Sequence, residues 1–406
     1  MRVVKGHKIL LDVTPEIDSI FVSWCGVARW AYNYGLERKI KSYEADGRSP
    51  SAYSLMKEVV ALKKTEERAW LNGIPCSVAR MALLHLDRAY KEFFRKVKEG
   101  KAKKGFPKFK SKKTAKMAFH IEPKQMAVNG CSVRIPRVGW VKMHQPIRFN
   151  GRLVWSVCVS KRAGKWYISF NVETEIADVI ESQEKSAVGI DVGVKHLATL
   201  SNGKKFENPK ALYRLAGLLT RAQRQMARKK VGSNRREKAK LRVQRIYKRI
   251  ADLRANATHN VSSYVSNNYT GAAIESLNVL GMVKNHNLAK AISDANFSSL
   301  HRQLEYKMDW AGGEARKADR FFPSSKTCST CGLVNNKLTL KDREWDCECG
   351  AHHDRDVNAA INLLNECYGR GLTATARGGQ ERLVSPVKRE LRKKVGHGNV
   401  ASYREE

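Results

Sequence analysis

Three places in the sequence put an acid where a buried element would carry it. Asp191 closes the apolar run of "AVGIDVGVKHLATLSNG", Glu275 follows "YTGAAI", and Asp354 and Asp356 immediately precede the helical pattern "VNAAINLL". An isolated carboxylate in apolar surroundings is costly unless it is paired or bound to a cation. Acids from two strand ends and one helix start can converge on hard, oxygen-preferring cations such as magnesium. Two such ions activate water on one side of a phosphorus and stabilise the leaving oxygen on the other. The competing reading is structural: ion-pair networks also hold acids, and an aspartate at a helix start can simply cap it. Spacing alone does not choose between Asp354 and Asp356.

A second constellation is softer. The sequence holds nine cysteines, four of them in "SSKTCSTCG" and "REWDCECG", at Cys328, Cys331, Cys347 and Cys349. Two glycine-followed knuckles at this separation suit a closed tetrahedral structural zinc site. The second pair is Cys-x-Cys, tighter than the usual knuckle, so His352 or His353 stands as an alternative ligand to one thiolate. An odd, clustered cysteine count is metal-site usage in a reducing cytoplasm rather than a disulfide framework.

The bulk of the chain points to a polyanion. Lys plus Arg number 76 against 39 Asp plus Glu in 406 residues, a net charge of +37. Neutralising phosphates releases condensed counterions, so such a surplus favours nucleic acid, although charge alone does not separate DNA from RNA or from an anionic membrane. The start "MRVVKGHKILLDV" lacks the apolar core of a signal peptide, and no apolar run approaches the length of a membrane span. A cytoplasmic protein with no membrane partner is expected.

The elements that position these residues follow from pattern. The stretch from Met1 to Val13 reads as a strand, with Thr14-Pro15 stopping it and starting a helix. Helical periodicity then runs to about Gly100, with Trp24, Val27, Ala28, Ala31 and Tyr34 on one face and Met81, Leu84, Leu86 and Tyr90 on another. Aromatic residues at this spacing read as core. In "KVKEGKAKKGFPKFKSKK", Phe106, Pro107 and Phe109 interleave with lysines, as in a loop that follows phosphates and stacks on bases. Short β-branched runs from about Met117 to Val172 predict an antiparallel barrel or sheet, which the first strand joins. "ADVIESQEKS" reads as the linker to the second half. There, Leu212, Leu215, Leu219, Ala222 and Met226, then Val243, Ile246, Ile250, Leu253 and Ala257, predict a helical hairpin with one apolar seam. Its flanks from Arg221 to Asn260 carry 14 Lys/Arg, and a polyanion is expected along them. The Gly- and Lys/Arg-rich tail from about Gly371 reads as mobile.

Four motifs in order, "VGIDVGVKHLATLS", "IESLNVLGM", "FFPSSKTCSTCG" and "HHDRDVNAAINLL", with "ARWAYNYGLE" and "GFPKFKSKK" before them, resemble the TnpB (OrfB) family of transposon-encoded RNA-guided nucleases, relatives of compact type V CRISPR effectors. The resemblance implies an α+β multidomain chain. A β-barrel wedge domain (1–15 and 115–180) would hold an inserted helical recognition domain (16–114). An RNase H-like RuvC nuclease domain (186–322 and 353–370) would carry an inserted zinc ribbon (323–352), and a basic disordered tail (371–406) would follow. It implies that Asp191, Glu275 and Asp356 bind two catalytic magnesium ions, with Asp354 as the alternative third acid, and that one zinc is structural. It implies a guide (omega) RNA, one protein per RNA, and metal-dependent cleavage of double-stranded DNA beside a short transposon-adjacent motif, in a prokaryotic, nucleoid-associated setting. Pairing with the guide would read the target sequence while the protein reads shape and the motif. Ser276 stands where the family commonly has a further acid. Nucleic-acid contacts are expected at Tyr53, Lys57, Ser77, Arg80 and Thr114 for the motif. Lys103, Lys104, Lys108 and Lys110 of the lysine run are expected to hold backbone, as are Arg224, Arg228, Lys229, Arg235, Arg242, Arg245 and Arg249 of the hairpin. Two other readings stand beside this one: an RNA-guided DNA-binding regulator that does not cut, and an RNA-independent RuvC-like resolvase or transposase.

Overall fold

A computed structural model describes residues 2–175, 186–339 and 342–369. The expected linker, apart from Ser186, and the expected mobile tail from residue 371 lie outside the described residues.

In the first half, β1 (Arg2–Leu10) leads to α1 (Pro15–Asp46), α2 (Ala52–Leu62), a 3-10 turn (Glu66–Gly73) and α3 (Cys76–Lys98). The start of α1 was legible: Thr14 caps it by accepting from the Ile17 N–H, and Pro15 opens the first turn. Seven strands follow: β2 (Ala118–Ile121), β3 (Ala127–Asn129), β4 (Ser132–Ile135), β5 (Gly139–Lys142), β6 (Arg152–Leu153), β7 (Val157–Arg162) and β8 (Lys165–Glu175). They make an antiparallel sheet in the order β1-β8-β7-β2, with β6 on β8, and a separate small sheet β3-β4-β5. A lone bridge, Leu11 to Met143, ties the two. Where a barrel was expected, the ladders among the described residues stay open between β1 and β2, and α1 and α3 cover the sheet instead. Phe21 and Trp24 of α1 meet Trp166 and Phe119 at ring-centroid distances of 5.1 and 5.2 Å. On α3 the core residue is Leu83; Leu84, expected there, faces a cleft.

The second half opens with β9 (Ala187–Asp191), β10 (His196–Leu200) and β11 (Lys205–Glu207), then α4 (Ala211–Ala227) and α5 (Asn234–Asn268). After these come β12 (Gly271–Ile274), α6 (Val279–Met282), α7 (His286–Ala295), α8 (Phe297–Trp310) and β13 (Glu314–Lys317). The hairpin β14 (Glu344–Asp346) and β15 (His352–Asp354) leads into α9 (Arg355–Tyr368). The sheet order is β11-β10-β9-β12-β13, antiparallel up to β9 and parallel beyond it. Every residue of β12 is buried, as expected of a parallel strand covered on both faces. The α4–α5 hairpin has the expected seam of Leu215, Leu219, Ala222, Val243 and Ile250, while Ala257 packs on the sheet's own core. β15 pairs with β14 of the cysteine-rich module, Trp345 opposite His353, and runs directly into α9. The halves touch where Leu241 of α5 lies against Gly164 and where the Lys5 ammonium sits 5.2 Å over the Trp310 ring. No helix among the described residues is long and apolar enough to cross a membrane.

Candidate metal centre and nucleic-acid surfaces

Asp191 is the last residue of β9. Ile190 pairs in parallel with Ile274, so Glu275 follows directly beside Asp191 at the same sheet end. Helix α9 lies across β9, and Gly189 makes this possible: a Cβ there would sit 1.7 Å from the Ala360 carbonyl oxygen. That contact sets the start of α9, with Asp356 in its first turn, over Asp191. Burial first, then the charges of Asp356 and Glu275, push the Asp191 carboxyl well above the usual aspartate range. Burial raises Glu275 as well. Neither Asp191 nor Glu275 has an ion pair or a side-chain hydrogen bond among the described residues.

A more deeply buried acid, Asp294, shows what a structural role looks like. Asp294, 5% exposed, accepts from the N–H groups of Leu212 and Tyr213 and from the Arg254 guanidinium at 2.8 Å. It caps α4, whose own first neighbour Lys210 provides no side-chain cap. Asp294 is satisfied by protein; Asp191 is not, which is the condition that favours a bound cation.

The helix start also separates Asp354 from Asp356. Asp354 is the N-cap, accepting from the Asp356 and Val357 N–H groups at 3.0 Å and from Lys205 at 2.6 Å. Burial pushes its carboxyl up, but Lys205 and those N–H groups outweigh this and hold it below the usual range. Among the described residues the Asp356 carboxylate has one long ion-pair contact, 3.8 Å, to Arg343. Beside Glu275 opens a cleft of about 400 Å³ lined by His301, Lys317 and Arg320. Burial and Lys317 push His301 down to about 4, so it is neutral at pH 7.

On the far side of α9, the ligand atoms of Cys328, Cys331, Cys347 and Cys349 all lie within 4.8 Å of one another. Burial raises the Cys328 thiol, but the Cys331 N–H, His353 and the Thr330 N–H bring it down to about 5. Soft sulfur donors in this grouping fit zinc. The histidine alternative resolves by role. His353 Nε2 lies 3.0 Å from the Cys328 sulfur and its ring packs against Trp345, whereas His352 turns outward to Asp346.

Two residues that the sequence reading passed over join the centres. Asn358 donates to the Thr327 carbonyl at 2.7 Å and accepts from the Ser329 N–H, and Asn362 donates to the carbonyls of Ser324 and Thr327. Both are buried, four apart on one face of α9. That pair of polar residues inside an apolar helix pattern was the available signal.

The expected nucleic-acid contacts divide. Ser77 is a correction: it is fully buried, because that face of α3 points into the core. Arg80 is ion-paired with Glu122. It lines a cleft of about 430 Å³ with Tyr53 and Lys57, and Tyr53 is open to solvent. The Lys110 ammonium lies 3.5 Å over the Tyr32 ring, and its backbone bonds Asn33, so it packs the loop onto α1. Thr114 shares a hydroxyl hydrogen bond with Ser111. Phe106 is edge-on to Tyr90 and Phe93 of α3 and anchors the loop; Phe109 stays exposed. Lys103, Lys104 and Lys108 are exposed, as are Arg224, Arg228, Lys229, Arg235, Arg242, Arg245 and Arg249 along the helical hairpin.

Comparison with known proteins follows this layout. The family described as "Probable transposase" matches residues 168–286, and "Cas12f1-like, TNB domain" matches 297–363. A "Helix-turn-helix domain" matches 1–48, a stretch that here is one strand and one uninterrupted helix. A protein of Streptomyces pristinaespiralis named "Putative RNA-guided DNA endonuclease" is 37% identical over 381 residues, 93% of this chain and 92% of its own length. "Putative RNA-guided DNA endonuclease InsQ" of Escherichia coli (strain K12) is 30% identical over 380 residues, 90% of this chain and 92% of its own. The solved mini-RNA-guided endonuclease CRISPR-Cas_phi3 is a looser likeness, 8% identical with a TM-score of 0.46 over 90% of this chain and 92% of its own.

Proposed function

The chain belongs to the TnpB (OrfB) family, and from that premise we propose that it is an RNA-guided, metal-dependent endonuclease that cuts double-stranded DNA beside a short transposon-adjacent motif. On this reading residues 1–15 and 115–180 are the wedge and 16–114 the recognition helices. Residues 186–322 with 353–370 are an RNase H-like RuvC domain, and 323–352 the zinc ribbon. The five-stranded sheet, antiparallel and then parallel, supports the RuvC assignment. One guide RNA is bound per protein, in the bacterial cytoplasm at the nucleoid.

The observation that carries this reading is the convergence of Asp191, Glu275 and Asp356 with no ion pair or side-chain hydrogen bond to the first two among the described residues. Hard carboxylate oxygens in a half-buried cluster fit magnesium, and two such ions, when bound, supply an activated water and stabilise the leaving oxygen. The chain's own part is to hold and orient. Asp191 and Glu275 are fixed by the β9–β12 register, Asp356 by the contact of α9 with Gly189, and Lys205 keeps Asp354 occupied as a cap. Lys317 and Arg320 beside Glu275 meet the backbone phosphates of the strand to be cut. The four cysteines hold zinc, and Asn358 and Asn362 fasten that ribbon to the helix bearing Asp356.

The test is to purify Asp191→Ala protein expressed with its native flanking DNA and to sequence the nucleic acid protected within it. One discrete RNA with a fixed body and variable end, together with wild-type cleavage of a motif library, is the expected result. Protected RNA without wild-type cleavage would leave a binding regulator, and junction cleavage without RNA a resolvase.

A further inference from the structure

A cleft of about 1230 Å³ lies between α3 and the β6–β8 part of the first sheet and shares no residue with the carboxylate centre. Trp155 stands on its wall, in the link between β6 and β7. It is 70% exposed and has φ 62°, in the left-handed region that bulky residues avoid. The strained link is pinned on both sides. The Val154 N–H donates to the Asn171 carbonyl at 2.9 Å, and the Asn171 side chain donates to the Ser156 carbonyl at 2.9 Å. Val154 and Ser156 are buried while the indole between them points out. The ring has no aromatic or cation contact among the described residues, so the fold gains little from it. Strain maintained by its surroundings around an unused aromatic face is what a binding platform requires.

The rest of the cleft fits one class of ligand. Arg88, Lys124 and Arg152 bring cations to its wall. Of its acids, Glu122 pairs with Arg80 and more loosely, at 3.9 Å, with the exposed Lys124, and Glu173 lies opposite Arg152 in the β6–β8 register. The His85 and His120 rings meet edge-on at 4.3 Å, and His120 Nδ1 lies 3.2 Å from the Ser156 hydroxyl, giving polar edges next to the apolar face. A flat π-face with cations beside it is the chemistry that holds an unstacked base and its phosphates.

We propose that this cleft is a subsite for an unpaired nucleotide of the bound RNA, with its base stacked on Trp155 and its phosphates met by Arg88, Lys124 and Arg152. The proposal rests on the RNA-guided reading above. RNA is the source because it stays bound with or without target and offers splayed bases in loops and bulges, whereas the displaced DNA strand is unpaired only once the target has opened.

The test uses the full chain with the RNA that purifies with it, first alone and then with matched target duplex added. Ultraviolet crosslinking followed by peptide mapping reads whether Trp155 touches a nucleotide in the wild type, before any variant is made. A crosslink to RNA on the Trp155 peptide is expected. Trp155→Phe keeps the face and holds RNA within about three-fold of wild type, while Trp155→Asn loses roughly ten-fold in affinity, the scale of one lost stacking contact. Asn is at ease in the left-handed conformation, so that variant melts no lower than wild type, which separates a binding role from a folding one. RNA held normally with no crosslink at Trp155, or by Trp155→Asn as tightly as by wild type, overturns the subsite alone. A crosslink to target DNA overturns the choice of RNA. A wild-type protein that holds no RNA overturns the function proposed above as well.

Discussion

Helix α9 has a hard donor set on one side and a soft one on the other. At its start, three carboxylates gather with two of them unpartnered; across from it, four thiols are supported by N–H groups and by His353. The protein favours one thiolate, Cys328, in advance while its neighbours push the Cys331 and Cys347 thiols up, and it leaves its carboxylates repelling one another. A centre built the first way suits a permanent ion that holds structure, and a centre built the second way suits ions that join for the reaction. The asparagines of α9 make the first a support for the second.

The sharpest attempt to break this contrast is removal of the unpartnered acids. Asp191→Asn and Asp356→Asn should each lower cleavage by about 10³-fold or more, the equivalent of roughly 4 kcal/mol of lost transition-state stabilisation, with RNA retention unchanged. Magnesium-dependent cutting by either variant at near wild-type rate would remove the contrast. Asp191 also makes a pH prediction. Its folded pKa is raised, so its contribution favours the metal-free fold below the model-peptide value of 3.8 and is lost as pH rises through the folded pKa. In chelator, the melting temperature of wild type relative to Asp191→Asn should therefore fall as pH rises from about 4; a pH-independent difference contradicts the unpartnered state.

Next in size is Cys328→Ser. Zinc content should fall from one equivalent to near none, with a lower melting temperature and cleavage reduced by about 10- to 100-fold through the loosened start of α9. Elemental analysis reads the first effect and cleavage kinetics the last. Full zinc content in the variant would refute the thiolate site. Asn362→Ala removes a buried donor from two carbonyls and should cost about 1–3 kcal/mol in chemical denaturation while zinc stays bound. The smallest effect belongs to Asp354→Asn. Asparagine still caps the helix and the lost Lys205 pair is partly exposed, so a stability change within about 1 kcal/mol is expected, with cleavage kept within ten-fold. A loss as large as that of Asp356→Asn would make Asp354 the third acid.

What the sequence allowed follows the range of the interactions. The cysteine knuckles, the Thr14-Pro15 helix start and the seam of α4 and α5 are written in residues a few places apart, and each appears where expected. The pairing of Asp191 with Glu275 depends on a parallel register between distant strands, so spacing could only suggest it. Ser77 was misjudged because likeness to a family does not say which face of α3 turns inward, and the packing of Lys110 over Tyr32 was out of reach because a loop's contacts with a distant helix leave no local pattern. The open ladder between β1 and β2 was equally out of reach, since alternating strands do not reveal closure. Asn358 and Asn362 were readable and went unread.

The 35 residues of α5 form a rod about 52 Å long at 1.5 Å per residue, rooted in the core of the second half and touching the first half at Gly164. With arginines along its exposed side, such a rod is also a gauge. On the function proposed above, its exposed arginines from Arg235 to Arg249 cover about 21 Å, roughly six base-pair steps at 3.4 Å each, so the stretch of nucleic acid it would support is fixed by a count of helical turns rather than by the reach of loops.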